Sequence, residues 1–153
     1  MKETCEEAKS FLELVFEKSG LSLRVSIQQD ENRAILDLDG PDADLLLTDG
    51  GELLEAVQHL VNQAFGRTLP KNQRLVCDVH SFRATREAEL RAMALHAAGK
   101  VRSTGIAFTF GTMNANERRI IHLTLSENED LHTESIGAGS ERRLKVILKS
   151  HVK

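Results

Sequence analysis

The chain has 153 residues, 41% hydrophobic and 28% charged, enough for one ordinary domain or two very small ones. Two prolines and ten glycines exclude a low-complexity or collagen-like chain, and the longest apolar run, Ala92-Met93-Ala94-Leu95, is far short of the roughly 18 residues of a membrane span. Net charge is −3, but residues 1–80 carry 8 Lys+Arg against 15 Asp+Glu and residues 81–153 carry 12 against 8, so an acidic front joins a basic back.

Residues 3–18 read as a helix with Thr4 as its cap, because Ala8, Phe11, Leu12, Val15 and Phe16 recur at helical spacing and Gly20 ends the run. Leu23, Val25 and Ile27 alternate with polar residues as a half-buried strand. Asp30-Glu31-Asn32 is turn material, and Ala34, Leu36 and Leu38 alternate again, which predicts a hairpin. Gly40-Pro41 breaks that pattern. A short helix is expected over 42–47 with Asp42 near its start, followed by a tight turn at Asp49-Gly50-Gly51. Leu53, Leu54, Val57, Leu60, Val61, Ala64 and Phe65 mark an amphipathic helix that Gly66 ends. Leu75, Cys77 and Val79 form a third strand.

The back half opens with a long helix over 84–102, with Leu90, Met93, Ala94, Ala97 and Val101 on one face. Ile106, Phe108 and Phe110 alternate as a strand. Asn114 with Glu117 three residues on has the form of a capping box, opening a helix that runs to about Ser126. Residues 132–136 and 142–148 read as a hairpin around Gly137-Ala138-Gly139. The fold class is α+β, an αββααβ module over 1–80 followed by an αβαββ module over 81–153. The two meet near His80-Ser81 and are expected to pack closely.

Cys5 and Cys77 match no zinc spacing and make no disulfide framework, and the N-terminus has no apolar segment of a secretory signal. A reducing, cytoplasmic setting is expected. The six histidines are scattered with no metal-ligand spacing, and Asp78 with His80 is read as a surface pair. Neither an enzyme nor a cofactor is expected. With six Phe and no Trp or Tyr, there are few rings on which bases could stack. Nucleic-acid binding by this chain would therefore lean on charge.

The sharpest local feature is Glu117-Arg118-Arg119-Ile120-Ile121-His122. Arg118 and His122 stand four apart and share a helix face beside the apolar stripe. A guanidinium there can fork onto a phosphate, and a nearby imidazole can donate to the same group or to a sugar. On the last strand Leu144, Val146 and Leu148 point one way. Arg143, Lys145 and Lys149 point the other, with Arg142 at the start. That basic row reads either as a phosphate track or as an edge strand kept soluble by cations.

The stretch from Met113-Asn114 through Arg118-Arg119-Ile120-Ile121-His122-Leu123 resembles the signature of the R-three-H domain, named for an Arg and a His separated by three residues. Thr133-Glu134-Ser135-x-Gly137-x-Gly139 and Arg142-Arg143 match the way that domain closes. The front half is similar to the type II KH-like module that precedes it in the bacterial Jag family, the SpoIIIJ-associated proteins. That match includes Leu53-x-x-x-Val57-Gln58-x-Leu60-Val61-Asn62, and Asp78-Val79 followed by Phe82-Arg83. The resemblance covers roughly residues 22–149 and implies a regulator or adaptor that binds single-stranded nucleic acid, RNA before DNA. It carries the signature roles to Arg118 and His122, with Arg119, Arg142, Arg143 and Lys145 as the accompanying cations.

The chain departs from the family in three places. The KH phosphate loop, Gly-x-x-Gly with basic middle residues, is here Thr48-Asp49-Gly50-Gly51, so a carboxylate stands where a cation is expected. This front loop is expected to grip phosphate poorly. Ala115 replaces the proline usual before the signature helix. The N-terminal Jag domain is expected to be missing. The competing reading is a protein-docking or dimerisation module with a degenerate KH domain. Its acidic face (Asp37, Asp39, Asp42, Asp44, Asp49) would then meet a basic protein partner. No membrane partner is expected.

Overall fold

The computed structural model describes residues 2–29 and 33–152. The chain divides into two compact units, one ending at Arg83 and the other beginning at Ala84.

The front unit starts with α1 (Lys2–Ser19), which buries Cys5, Ala8, Leu12 and Phe16 at helical spacing. The helix has begun by Lys2, so Thr4 lies inside its first turn and is not a cap; Glu3 there suits the positive end of the helix dipole. Strand β1 (Arg24–Gln29) pairs antiparallel with β2 (Arg33–Asp39), from Arg24 opposite Asp39 to Gln29 opposite Ala34. The expected turn at Asp30-Glu31-Asn32 lies outside the described residues. Strand β2 pairs parallel with β3 (Arg74–Asp78), giving the order β1-β2-β3.

A parallel pair needs a long crossover. Here it runs through a 3-10 segment (Ala43–Gly50) and α2 (Glu52–Phe65). The expected short helix is thus a kinked 3-10 segment, and Asp42 does not cap it. The Asp42 carboxylate instead accepts the Ser22 backbone N–H at 2.6 Å. Helix α2 buries Leu54, Val57 and Val61, whereas Leu53 and Leu60 are 40% and 45% exposed. The apolar arc of this helix is wider than the face it rests on.

In the back unit, α3 (Phe82–Thr104) starts two residues before the predicted helix, in the turn that closes the front unit. Beyond Ala84 it buries Leu90, Ala94, Ala97, Ala98 and Val101. Strand β4 (Phe108–Thr112) precedes α4 (Ala115–Leu125), and β5 (Leu131–Ile136) and β6 (Arg143–Leu148) close the unit. The sheet is antiparallel in the order β4-β6-β5. Strand β6 is therefore central, which overturns the edge-strand reading of its cations. Its Leu144 and Val146 join Ile121 and Leu125 of α4 in the core. Arg102, near the end of α3, forks onto Asp130 at 2.7 and 2.8 Å and holds its carboxyl below the ordinary value. Among the described residues no helix is long and apolar enough to cross a membrane.

Candidate nucleic-acid interface

The capping box forms as the spacing predicts. Asn114 Oδ1 accepts the Glu117 N–H at 2.9 Å, and Glu117 Oε2 accepts the Asn114 N–H at 3.3 Å. Glu117 is only 5% exposed, and its Oε1 takes a hydrogen bond from Arg86 Nε at 2.8 Å. This long-range pair fixes the start of α4 to α3. It also raises the Arg86 pKa: burial pulls it down, but hydrogen bonds to Glu117 and Glu89 outweigh that.

The start of α4 in turn sets the signature pair. Arg118 is half-buried, and its Nη1 donates to the Met113 carbonyl just before the helix. The Met113 N–H donates to the Arg142 carbonyl at 3.2 Å, so the same residue tethers the beginning of β6. One turn along α4, His122 is exposed, and its Nδ1 lies 2.6 Å from Thr133 Oγ1 on β5. Arg118, Arg119, His122, Thr133, Ser135 and Arg142 surround an open pocket of about 380 Å³. Among the described residues, its wall thus combines three guanidinium groups, one imidazole and two hydroxyls, with no carboxylate. Such a wall suits a phosphodiester: guanidinium groups fork onto phosphate oxygens, and hydroxyls and imidazole can bond sugar or phosphate.

Not all the candidate cations converge. Arg143 and Lys145 alternate with buried Leu144 and Val146, which puts them on the opposite sheet face from the core. Lys145 sits across from Glu134, with Nζ 3.9 Å from Oε1. The structure thus brings Arg118, Arg119, His122 and Arg142 together and leaves Arg143 and Lys145 behind the sheet. Thr133 and Ser135 were not singled out as binding residues. Their signal was the Thr133-Glu134-Ser135 match, together with a strand alternation that places both hydroxyls on one face.

The front loop is built differently. Asp49, Gly50 and Gly51 all have positive φ (53°, 72° and 86°), and the Gly51 N–H donates to Thr48 O at 3.0 Å. Thr48 Oγ1 donates back to Leu45 O at 2.9 Å. The loop therefore closes on itself and leaves the Asp49 carboxylate exposed. A Cβ on Gly51 would come within 2.7 Å of the Phe82 ring, so that glycine serves packing. Of the expected acidic face, Asp39 pairs with Arg24 and lies 3.4 Å from His80, Asp37 accepts the His80 N–H at 3.3 Å, and Asp42 holds Ser22. His80 lies beyond the end of β3 at φ 48°, so it does not alternate with Asp78 as a strand pair. Asp78 Oδ1 instead accepts the backbone N–H groups of Val79 and Arg83.

Comparison with known proteins adds two findings. The family model of the R-three-H domain matches residues 88–148. Over nearly the whole chain there is similarity to bacterial proteins named RNA-binding protein KhpB. The protein from Clostridium symbiosum is 30% identical over 151 residues, covering 97% of this chain and 68% of the relative. The one from Bacillus subtilis (strain 168) is 28% identical over 143 residues, covering 92% and 69%. The one from Lactiplantibacillus plantarum is 26% identical over 139 residues, covering 91% of this chain and 43% of the relative.

Proposed function

This chain belongs to the KhpB (Jag) family of R-three-H proteins, and from that premise we propose that it binds single-stranded RNA. The pocket on the α4 side of the back sheet holds the phosphate backbone. Arg118, Arg119 and Arg142 carry the charge contacts, and His122 and Thr133 bond a phosphate or a ribose hydroxyl. The observation that carries this reading is the acid-free pocket wall assembled around the Arg118–His122 pair. Recognition is mainly of the backbone, since the chain has six phenylalanines and no other aromatic residue of the Trp or Tyr type.

The front unit contributes little phosphate binding, because its loop closes on itself and presents Asp49. We read the protein as a cytoplasmic regulator or adaptor and not as an enzyme. The test is a titration of labelled single-stranded RNA against the full chain at several salt concentrations. Log affinity is expected to fall linearly with log salt, with a slope of about −2 for three phosphate contacts at roughly 0.7 each. Absence of binding at low salt would end this reading.

A further inference from the structure

The outer edge of β3 is covered by side chains. Strand β3 lies at the end of its sheet, and in a parallel pair the N–H and C=O of one residue point the same way. The groups of Leu75 and Cys77 on that open side are met from two directions. Gln58 of α2 donates from Nε2 to Leu75 O at 2.9 Å and accepts the Cys77 N–H at Oε1, 2.8 Å away. Arg83 Nε donates to Cys77 O at 2.8 Å. Gln58 and Arg83 thus satisfy three of the groups that a neighbouring strand would use. Both are themselves anchored: Gln58 Nε2 also bonds Asn62 Oδ1 at 3.1 Å, and Arg83 Nη1 pairs with Glu55 on α2.

The strand beneath is complementary to itself. Run antiparallel to a second copy about Val76, Arg74-Leu75-Val76-Cys77-Asp78 places Arg74 against Asp78, Leu75 against Cys77 and Val76 against Val76. Leu75 and Cys77 would then exchange both N–H and C=O bonds across the two-fold axis, as directly opposed residues do. Asp78 spends Oδ1 on the Val79 and Arg83 N–H groups, so among the described residues its Oδ2 is open to an arginine. A cavity of about 400 Å³ lined by Gln58, Asn62, Gln73 and Arg74 runs beside the edge and gives an added strand room.

We propose that the edge of β3 is a self-association surface, that its partner is β3 of a second copy of this chain, and that Gln58 and Arg83 hold it closed. An uncovered edge strand is a template for another chain, and natural proteins cover such edges. The carboxamide of Gln58 does this with both its donor and its acceptor, which a shorter or apolar residue cannot do.

The test uses the full chain with Val76→Cys as reporter. In the proposed pairing the two Val76 positions form a non-hydrogen-bonded pair about 4.5 Å apart at Cα, within disulfide range. Under mild oxidation this chain is expected to stay largely uncrosslinked while Gln58 is present. Adding Gln58→Ala should raise the disulfide-linked dimer about thirtyfold, the effect of losing both edge hydrogen bonds. Gln58→Glu keeps the acceptor for Cys77 N–H and loses the donor, so it should raise the dimer less. Circular dichroism establishes that each variant is folded, and if Gln58→Ala is not, Gln58→Glu carries the comparison. Equal crosslinking with and without Gln58, or none in a folded Gln58 variant, overturns the proposal.

Discussion

Arg118 and Arg142 are tethered by a single residue: the Met113 carbonyl accepts from the Arg118 guanidinium, and the Met113 N–H donates to the Arg142 carbonyl at 3.2 Å. The signature arginine therefore spends one N–H on the scaffold and has the rest of its fork for a ligand. Arg118→Gln is expected to weaken RNA binding by about 1–3 kcal/mol, the worth of a charge-assisted contact. His122→Ala should weaken it less near neutral pH. Fluorescence anisotropy with a labelled single strand measures both, and unchanged affinity in Arg118→Gln would remove that residue from the site.

The position of α4 depends on Glu117. Removing its carboxylate deletes the return half of the capping box and strands Arg86 without its main partner. Glu117→Ala is expected to destabilise the fold by about 3 kcal/mol, the low end for breaking a buried pair, because Arg86 keeps some water contact. Urea unfolding followed by circular dichroism checks this. A loss under about 1 kcal/mol would mean that the pair is not buried in solution.

Local patterns carried much of this site in the sequence. Asn114 and Glu117 announced the helix start, and the four-residue step from Arg118 to His122 put both on one face. What local patterns cannot specify is which strands are neighbours. Strand β6 shows the same alternation whether it is central or at an edge, so its cations were open to either reading. Sheet order makes β6 central, and alternation with buried Leu144 and Val146 puts Arg143 and Lys145 on the face away from the pocket. For the same reason the Arg86–Glu117 and Arg83–Glu55 pairs, 31 and 28 residues apart in the chain, left no local signal. On α2 the apolar pattern is wider than the buried face, so Leu53 and Leu60 belong to the pattern and are exposed.

Gly51 is held at φ 86° against the Phe82 ring. Gly51→Ala adds left-handed strain and a clash in one step. The variant is expected to lose about 1–3 kcal/mol of stability, read as a lower urea midpoint. Gly20→Ala also carries positive-φ strain, at φ 72°, but its new Cβ would meet no heavy atom within 4 Å, so it should lose less. Equal losses in the two would show that packing against Phe82 is not the reason for Gly51.

Burial pushes the Cys77 thiol up from 9.0 to about 12, against a smaller downward pull from Arg83. The folded protein thus holds this proton where the unfolded chain has released it. Stability from this group is complete below pH 9.0 and is lost as pH climbs toward 12. The thiol should resist alkylation at about pH 8 until the protein unfolds. Between about pH 8 and about pH 11, unfolding free energy should fall more in the native sequence than in Cys77→Ala. Parallel pH curves for the two would contradict the assignment.

Photocrosslinking of the full chain to a single-stranded RNA, followed by peptide mapping, puts the location of the bound strand to the most direct test. Crosslinks are expected in the segments spanning residues 113–122 and 133–142, which wall the α4-side pocket. Crosslinks confined to residues 45–60, around the closed front loop, would contradict the account.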